Sequence, residues 1–97
     1  MAKKKLKTTP FDAAEYLNSD EAIGAYMEEA LATDDPAFIA HALGTVARAR
    51  GMAKVAKKAG LSRESLYKAL SAEGNPEFST IIRVMHALGL KFSISAV

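Results

Sequence analysis

The sequence predicts an all-α protein built as one compact unit, and three observations predict it. Apolar residues recur at helical spacing in successive windows. Pro, Gly, Ser and Asp punctuate those windows where helices start and stop, and only the last seven residues alternate as a strand does. Ninety-seven residues leave room for one core and not for two domains. Apolar residues at 49% and charged residues at 25% match a soluble globular chain, which argues against wholesale disorder.

The elements follow in order. Residues 1–10 read as a basic arm carrying Lys3, Lys4, Lys5 and Lys7, and residues 11–97 as a single helical domain. Pro10 and Phe11 precede a short helical extension over residues 12–17, which Asn18 and Ser19 interrupt. Ser19 or Asp20 caps the first long helix, in which Ile23, Tyr26, Met27, Ala30 and Leu31 form one apolar stripe opposite Glu21, Glu28 and Glu29. Asp35 followed by Pro36 reads as a cap with proline at the first helical position. That helix runs through Phe38, Ile39, Ala42, Leu43 and Val46 to Arg50, where Gly51 stops it.

A short helix over residues 53–59 turns Val55, Ala56 and Ala59 inward and ends at Gly60, and Ser62 caps the next, from Arg63 to about Leu70. Gly74, Asn75 and Pro76 are turn chemistry, after which Ser79 is expected to cap a last helix bearing Ile81, Ile82, Met85 and Leu88, closed by Gly89. In the tail, Phe92, Ile94 and Ala96 alternate with Ser93 and Ser95 as in a half-buried β-strand. A strand needs a ladder partner, so this one is expected to pair with residues 6–9 or with its counterpart in a second copy, which favours a homodimer.

Net charge is only +2, but its distribution is uneven. Residues 11–35 hold eight acids and no Lys or Arg, whereas residues 48–68 carry Arg48, Arg50, Lys54, Lys57, Lys58, Arg63 and Lys68 against Glu64 alone. The usual partner of a basic helical stretch is a phosphate backbone. With no cysteine, disulfides and thiolate metal sites are excluded, and His41 and His86 lie far apart without a ligand pattern, so no metal or cofactor is expected. No nucleophile with His and acid partners and no glycine-rich phosphate loop can be assembled, which makes an enzyme with a small-molecule substrate the weakest reading. No apolar run reaches the ~18 residues of a membrane span and MAKKKLKTTP lacks a signal-peptide core, so the expected location is cytoplasmic.

A helix-turn-helix needs a small residue where its helices cross, a glycine for the left-handed turn, and apolar residues fixing the second helix. Residues 53–70 supply them as Ala56, Gly60, Leu61 and Leu66, with Val55 and Ala69 completing the apolar set. The second helix then offers Arg63, Glu64, Tyr67 and Lys68 to a DNA major groove. Arg63 and Glu64 suit base edges, Lys68 a base or a phosphate, and Ser62, Lys54 and Lys57 phosphates. Tyr67 divides between packing and DNA contact.

The motif GLSRESLYKALS, followed by GNPEF and preceded near the start by KTTPFDAAEYL, resembles the HigA-like antidote proteins of type II toxin-antitoxin addiction modules, within the lambda-repressor-like (Xre-type) helix-turn-helix class. The resemblance runs from about Leu6 to Leu90. It implies a five-helix DNA-binding domain, a cognate small toxin of the RelE/ParE-like kind, and repression of the protein's own operon by a dimer on operator DNA. By matching positions it implies recognition residues Ser62, Arg63, Glu64 and Lys68. Many Xre-type domains open the first motif helix with a Ser or Thr cap and a Gln; here Gly51, Met52 and Ala53 offer neither, and Lys54 is the substitute. Such toxins are generally basic, so Glu21, Glu28 and Glu29 are the candidate toxin-binding residues. Two other readings stay open at this point: a stand-alone phage-type repressor, and a protein-interaction module without DNA binding.

Overall fold

The computed structural model describes residues 17–71 and 74–96. Among these, the chain forms five α-helices: α1 (Asp20–Ala32), α2 (Pro36–Arg50), α3 (Met52–Ala59), α4 (Arg63–Ala69) and α5 (Phe78–Ala87). The basic arm, most of the helical stretch at residues 12–17, and the proposed strand partner at residues 6–9 lie outside the described residues.

Local chemistry sets most of the boundaries. Ser19 Oγ accepts from the Ala22 N–H at 3.1 Å and starts α1. Asp35 Oδ1 accepts from the N–H groups of Ala37 and Phe38 and, with Pro36 supplying the fixed backbone angle, starts α2 after a connection of only three residues, 33–35. Gly89, at φ +77°, closes α5: the Leu90 N–H reaches back to the Met85 carbonyl at 2.9 Å and the Gly89 N–H to His86 at 3.0 Å.

The expected cap at Ser79 is corrected. Thr80 and Ile81 donate to the Glu77 carbonyl, so α5 begins at Phe78 and Ser79 sits inside its first turn, where its hydroxyl cannot serve as the cap. Glu77, extended at φ −68° and ψ 155°, is the residue from which the helix starts.

The expected C-terminal strand is not formed among the described residues, and both of its expected partners, residues 6–9 and a second copy, lie outside them. Residues 90–96 form no ladder with any described segment. Phe92 turns instead to the Phe78 ring, with centroids 6.2 Å apart, and Ile94 is left 96% exposed. Alternation in the sequence makes a strand only where another strand supplies its hydrogen bonds, and none among the described residues does.

One core joins all five helices. Leu17 and Ile23 enter it before and from α1, Leu43 and Val46 from α2, Val55 and Ala56 from α3, Leu66 from α4, and Val84 and Met85 from α5. The eight-residue α3 lies at the centre, against α2, α4 and α5, while α1 packs chiefly on α2. Thr45 is buried within α2 and its hydroxyl donates back to the His41 carbonyl at 3.2 Å, so it brings no unpaired group into the core. Gly44 lets the end of α4 approach α2: a Cβ there would stand 3.1 Å from the Leu70 carbonyl oxygen.

Two glycines inside helices therefore respond oppositely to one substitution. Gly24, in α1, has open space where a Cβ would go, so Gly24→Ala should raise unfolding free energy in urea by about 0.5 to 1 kcal/mol. Gly44→Ala should fall short of that by at least about 1 kcal/mol because the Leu70 carbonyl must move.

Candidate nucleic-acid interface

The chain passes from α3 to α4 in three residues, 60–62. The Leu61 N–H bonds to the Ala56 carbonyl at 2.9 Å and the Gly60 N–H to Lys57 at 3.2 Å, a paired closure that needs a left-handed residue at its centre. Gly60 supplies it at φ +74°. Ser62 then caps α4: its Oγ accepts from the Ser65 N–H at 3.0 Å and donates to Ser65 Oγ at 2.9 Å. The hydroxyl read from sequence as a phosphate contact is thus occupied with holding the helix start.

Burial of one side fixes what the other side offers. Leu66 is fully buried, Leu70 is buried at the helix end and Ala69 is half-buried. At 3.6 residues per turn, Arg63, Glu64, Tyr67 and Lys68 are carried to the outer surface, and all four are exposed. The Arg63 guanidinium carbon lies 5.7 Å from the centre of the Tyr67 ring, one turn further along. Tyr67 is 47% exposed, so its ring is neither core nor free, and it forms a platform under the arginine. Within two turns the helix presents a planar cationic donor, a carboxylate acceptor, an aromatic face and an ammonium group, a set able to read donor and acceptor patterns on base edges. Lys68 also borders a shallow open depression of about 490 Å³, together with Ser65, Ser71, Gly74, Asn75 and Pro76.

The lysines of α3 divide between two flanks. Lys54, Lys57 and Lys58 are all exposed, but Lys54 and Lys58, four residues apart, line a small cavity with Arg50, Asp20 and the end of α5 at Ala87, Leu88 and Gly89. Arg50 pairs there with Asp20. Cations beside the last carbonyls of α5 complement its dipole, so Lys54 has a local role whatever else it meets. Lys57 shares the other flank with Ala53. Sequence reading grouped Lys54 with Lys57 and passed over Lys58, Ser65 and Asn75. The i, i+4 spacing of Lys54 and Lys58 was the available signal for the first, whereas the approach of Asn75 to α4 is a tertiary event.

Glu21, Glu28 and Glu29 stand exposed on α1 and do not join the α4 set. Among the described residues no group of three or more His, Asp or Glu gathers as a metal ion would require, and no helix is long and apolar enough to cross a membrane.

This is the architecture of a small helical protein that carries charged side chains outward on a short, core-anchored helix. The chain belongs to the family described as probable addiction module antidote proteins, whose family model matches residues 7–96. It is 52% identical over 84 residues, 87% of each chain, to an uncharacterized protein of Haemophilus influenzae. No solved structure matches it. Membership of an antidote family carries with it an antitoxin role and a toxin as partner.

The capping role of Ser62 has a measurable consequence. Ser62→Ala should lower thermal stability by about 1 kcal/mol, and Ser62→Asp, which can accept the same N–H, should restore most of it. Equal losses from both variants would show that the hydroxyl does not cap α4.

Proposed function

We propose that this chain is a HigA-like antitoxin whose α3 and α4 form a helix-turn-helix of the lambda-repressor-like class, at residues 53–70 of a single helical domain. In this reading it binds operator DNA as a homodimer, represses its own operon, and neutralises a small basic toxin of the RelE/ParE-like kind in the cytoplasm, without catalysing a reaction. The observation that carries the DNA-binding part is the split of α4 into a buried side, at Leu66, and an outer side bearing Arg63, Glu64, Tyr67 and Lys68. Family membership carries the antidote part.

The roles divide by chemistry. Arg63, oriented by the Tyr67 ring, reaches a guanine edge with its two-pronged donor face, and Glu64 accepts from a cytosine amino group. Lys68 and Lys57 neutralise phosphates; Lys54 does so from the flank it shares with Lys58. Ser62 acts by holding the helix start, and its hydroxyl reaches a phosphate only by releasing Ser65. A homodimer places two recognition helices about 34 Å apart on inverted half-sites. Residues 91–96, which form no ladder with any described segment, are the segment available for joining the copies. Glu21, Glu28 and Glu29 supply the negative field that meets the toxin.

Gel shifts on the chain's own promoter test the DNA reading. Affinity should fall with salt at a log-log slope of about −0.9 per neutralised phosphate. Arg63→Ala should cost about 1 to 3 kcal/mol of specific binding and relax sequence preference, whereas Lys57→Ala should weaken all DNA alike and reduce the slope by about one. Equal effects from the two would contradict the division of roles, and absence of promoter binding would remove the repressor function. For the second face, reversing Glu28 and Glu29 to Lys should weaken toxin binding and spare operator binding. Unchanged toxin affinity would remove these acids from the interface.

A further inference from the structure

An antidote needs a seat for its toxin, and an acidic helix surface alone supplies attraction without an anchor. At the far end of α1 from the Asp20–Arg50 pair, the starts of α2 and α5 and the tail enclose an open groove of about 530 Å³. Its walls are apolar: Leu31, Pro36, Ile39, Phe78, Ile81 and Phe92 line it. Phe78 is 72% exposed although it occupies the first turn of a helix, where a polar side chain would satisfy solvent. The Phe92 ring lies tilted at 37° to it and leaves it mostly in solvent.

The rim is acidic. Asp35 lines the groove, Asp34 and Glu77 flank it in the chain, and Glu28 lies one turn before Leu31; all four are exposed. The chain carries no Lys or Arg between Lys7 and Arg48, so α1 and nearly all of α2 contribute no cation; Arg83 lies two residues past Ile81, Lys91 precedes Phe92, and Lys68 borders the turn at residues 74–76 from its other side. A second copy docked groove to groove would set one acidic rim against another. A basic protein that inserts an apolar side chain between cationic neighbours meets both the walls and the rim.

We infer that the apolar groove between the starts of α2 and α5 is the toxin's docking site, where Phe78 anchors an apolar side chain of a basic partner and Glu28, Asp34 and Glu77 meet its cations. This inference rests on the antidote reading and adds to it the place of contact.

The test is calorimetric titration of the product of the gene adjacent to this chain's own into wild type, Phe78→Ala and Glu77→Lys, at low and high salt. Phe78 is largely exposed, so Phe78→Ala should keep the wild-type thermal midpoint and operator affinity, whereas Glu77→Lys, which sets a cation against the dipole at the start of α5, should lower the midpoint slightly and keep operator affinity. Phe78→Ala should weaken partner binding at least about 30-fold, as loss of an interface anchor does. Glu77→Lys should weaken it about 10-fold at low salt, with the difference shrinking at high salt. Partner affinity unchanged in both variants would overturn the groove assignment and leave the antidote reading standing. Dissociation of a dimer by Phe78→Ala with partner affinity intact would assign the groove to a second copy and overturn it as well. Failure of wild type to bind the neighbouring product would remove the antidote reading, and the groove with it.

Discussion

A helix of seven residues has no stability of its own in water, so α4 exists only because the rest of the protein holds it. Leu66 and Leu70 tie it to the core, Gly60 sets the direction in which the chain leaves α3, and the Ser62 hydroxyl closes its first turn. Gly44 completes the arrangement by letting the end of α4 settle against α2. The outward presentation of Arg63, Glu64, Tyr67 and Lys68 is the other side of that same burial. A change that loosens Leu66 would therefore alter the whole outer surface of α4 together, rather than one contact on it.

Charge is organised around this scaffold in two fields of opposite sign. The acids lie on α1 and the turn into α2, the cations on the end of α2 and on α3 and α4, and the pair of Asp20 with Arg50 is where the two meet. Asp20 is almost fully exposed, so that pair contributes little to stability, and its neighbourhood matters more for aligning the start of α1 with the end of α2. In the proposed reading, separation of the fields would let one small protein attract two kinds of partner and discourage each from the wrong surface. The turn at Gly74, Asn75 and Pro76 lies between them, lining both the depression beside Lys68 and the apolar groove. Gly74 sits so close to α4 that a Cβ would collide with the Ala69 and Lys68 carbonyls, which keeps that turn firmly against the helix.

Much of this was legible in the order of residues, because caps and closures are local. Ser19, Asp35 and Ser62 bond to N–H groups two or three positions ahead, and Gly60 and Gly89 close helices through carbonyls three to five positions back. Helical spacing of Ile23, Met27 and Ala30, and of Val55, Ala56 and Ala59, marked residues that are indeed buried. Ser79 misled because α5 starts from Glu77, which makes no side-chain cap that a pattern would reveal. The tail is a different case: alternation states what a strand would bury, whereas forming one also needs a neighbour, and the two expected neighbours lie outside the described residues.

The amino-acid order by itself determined the number of helices in residues 20–87, their ends apart from the start of α5, most of each inward stripe apart from the exposed Leu31 and Phe38, and the segregation of charge, since these depend on neighbours within about one or two turns. Tertiary packing alone decided that Tyr67 lies beneath Arg63 with its ring half in solvent, that Lys54 and Lys58 face the end of α5, and that Leu31, Pro36, Phe78 and Phe92 meet in one groove. Those juxtapositions join residues from separate elements, and the relative placement of packed elements follows from how their buried surfaces interlock, which no single stretch of chain encodes.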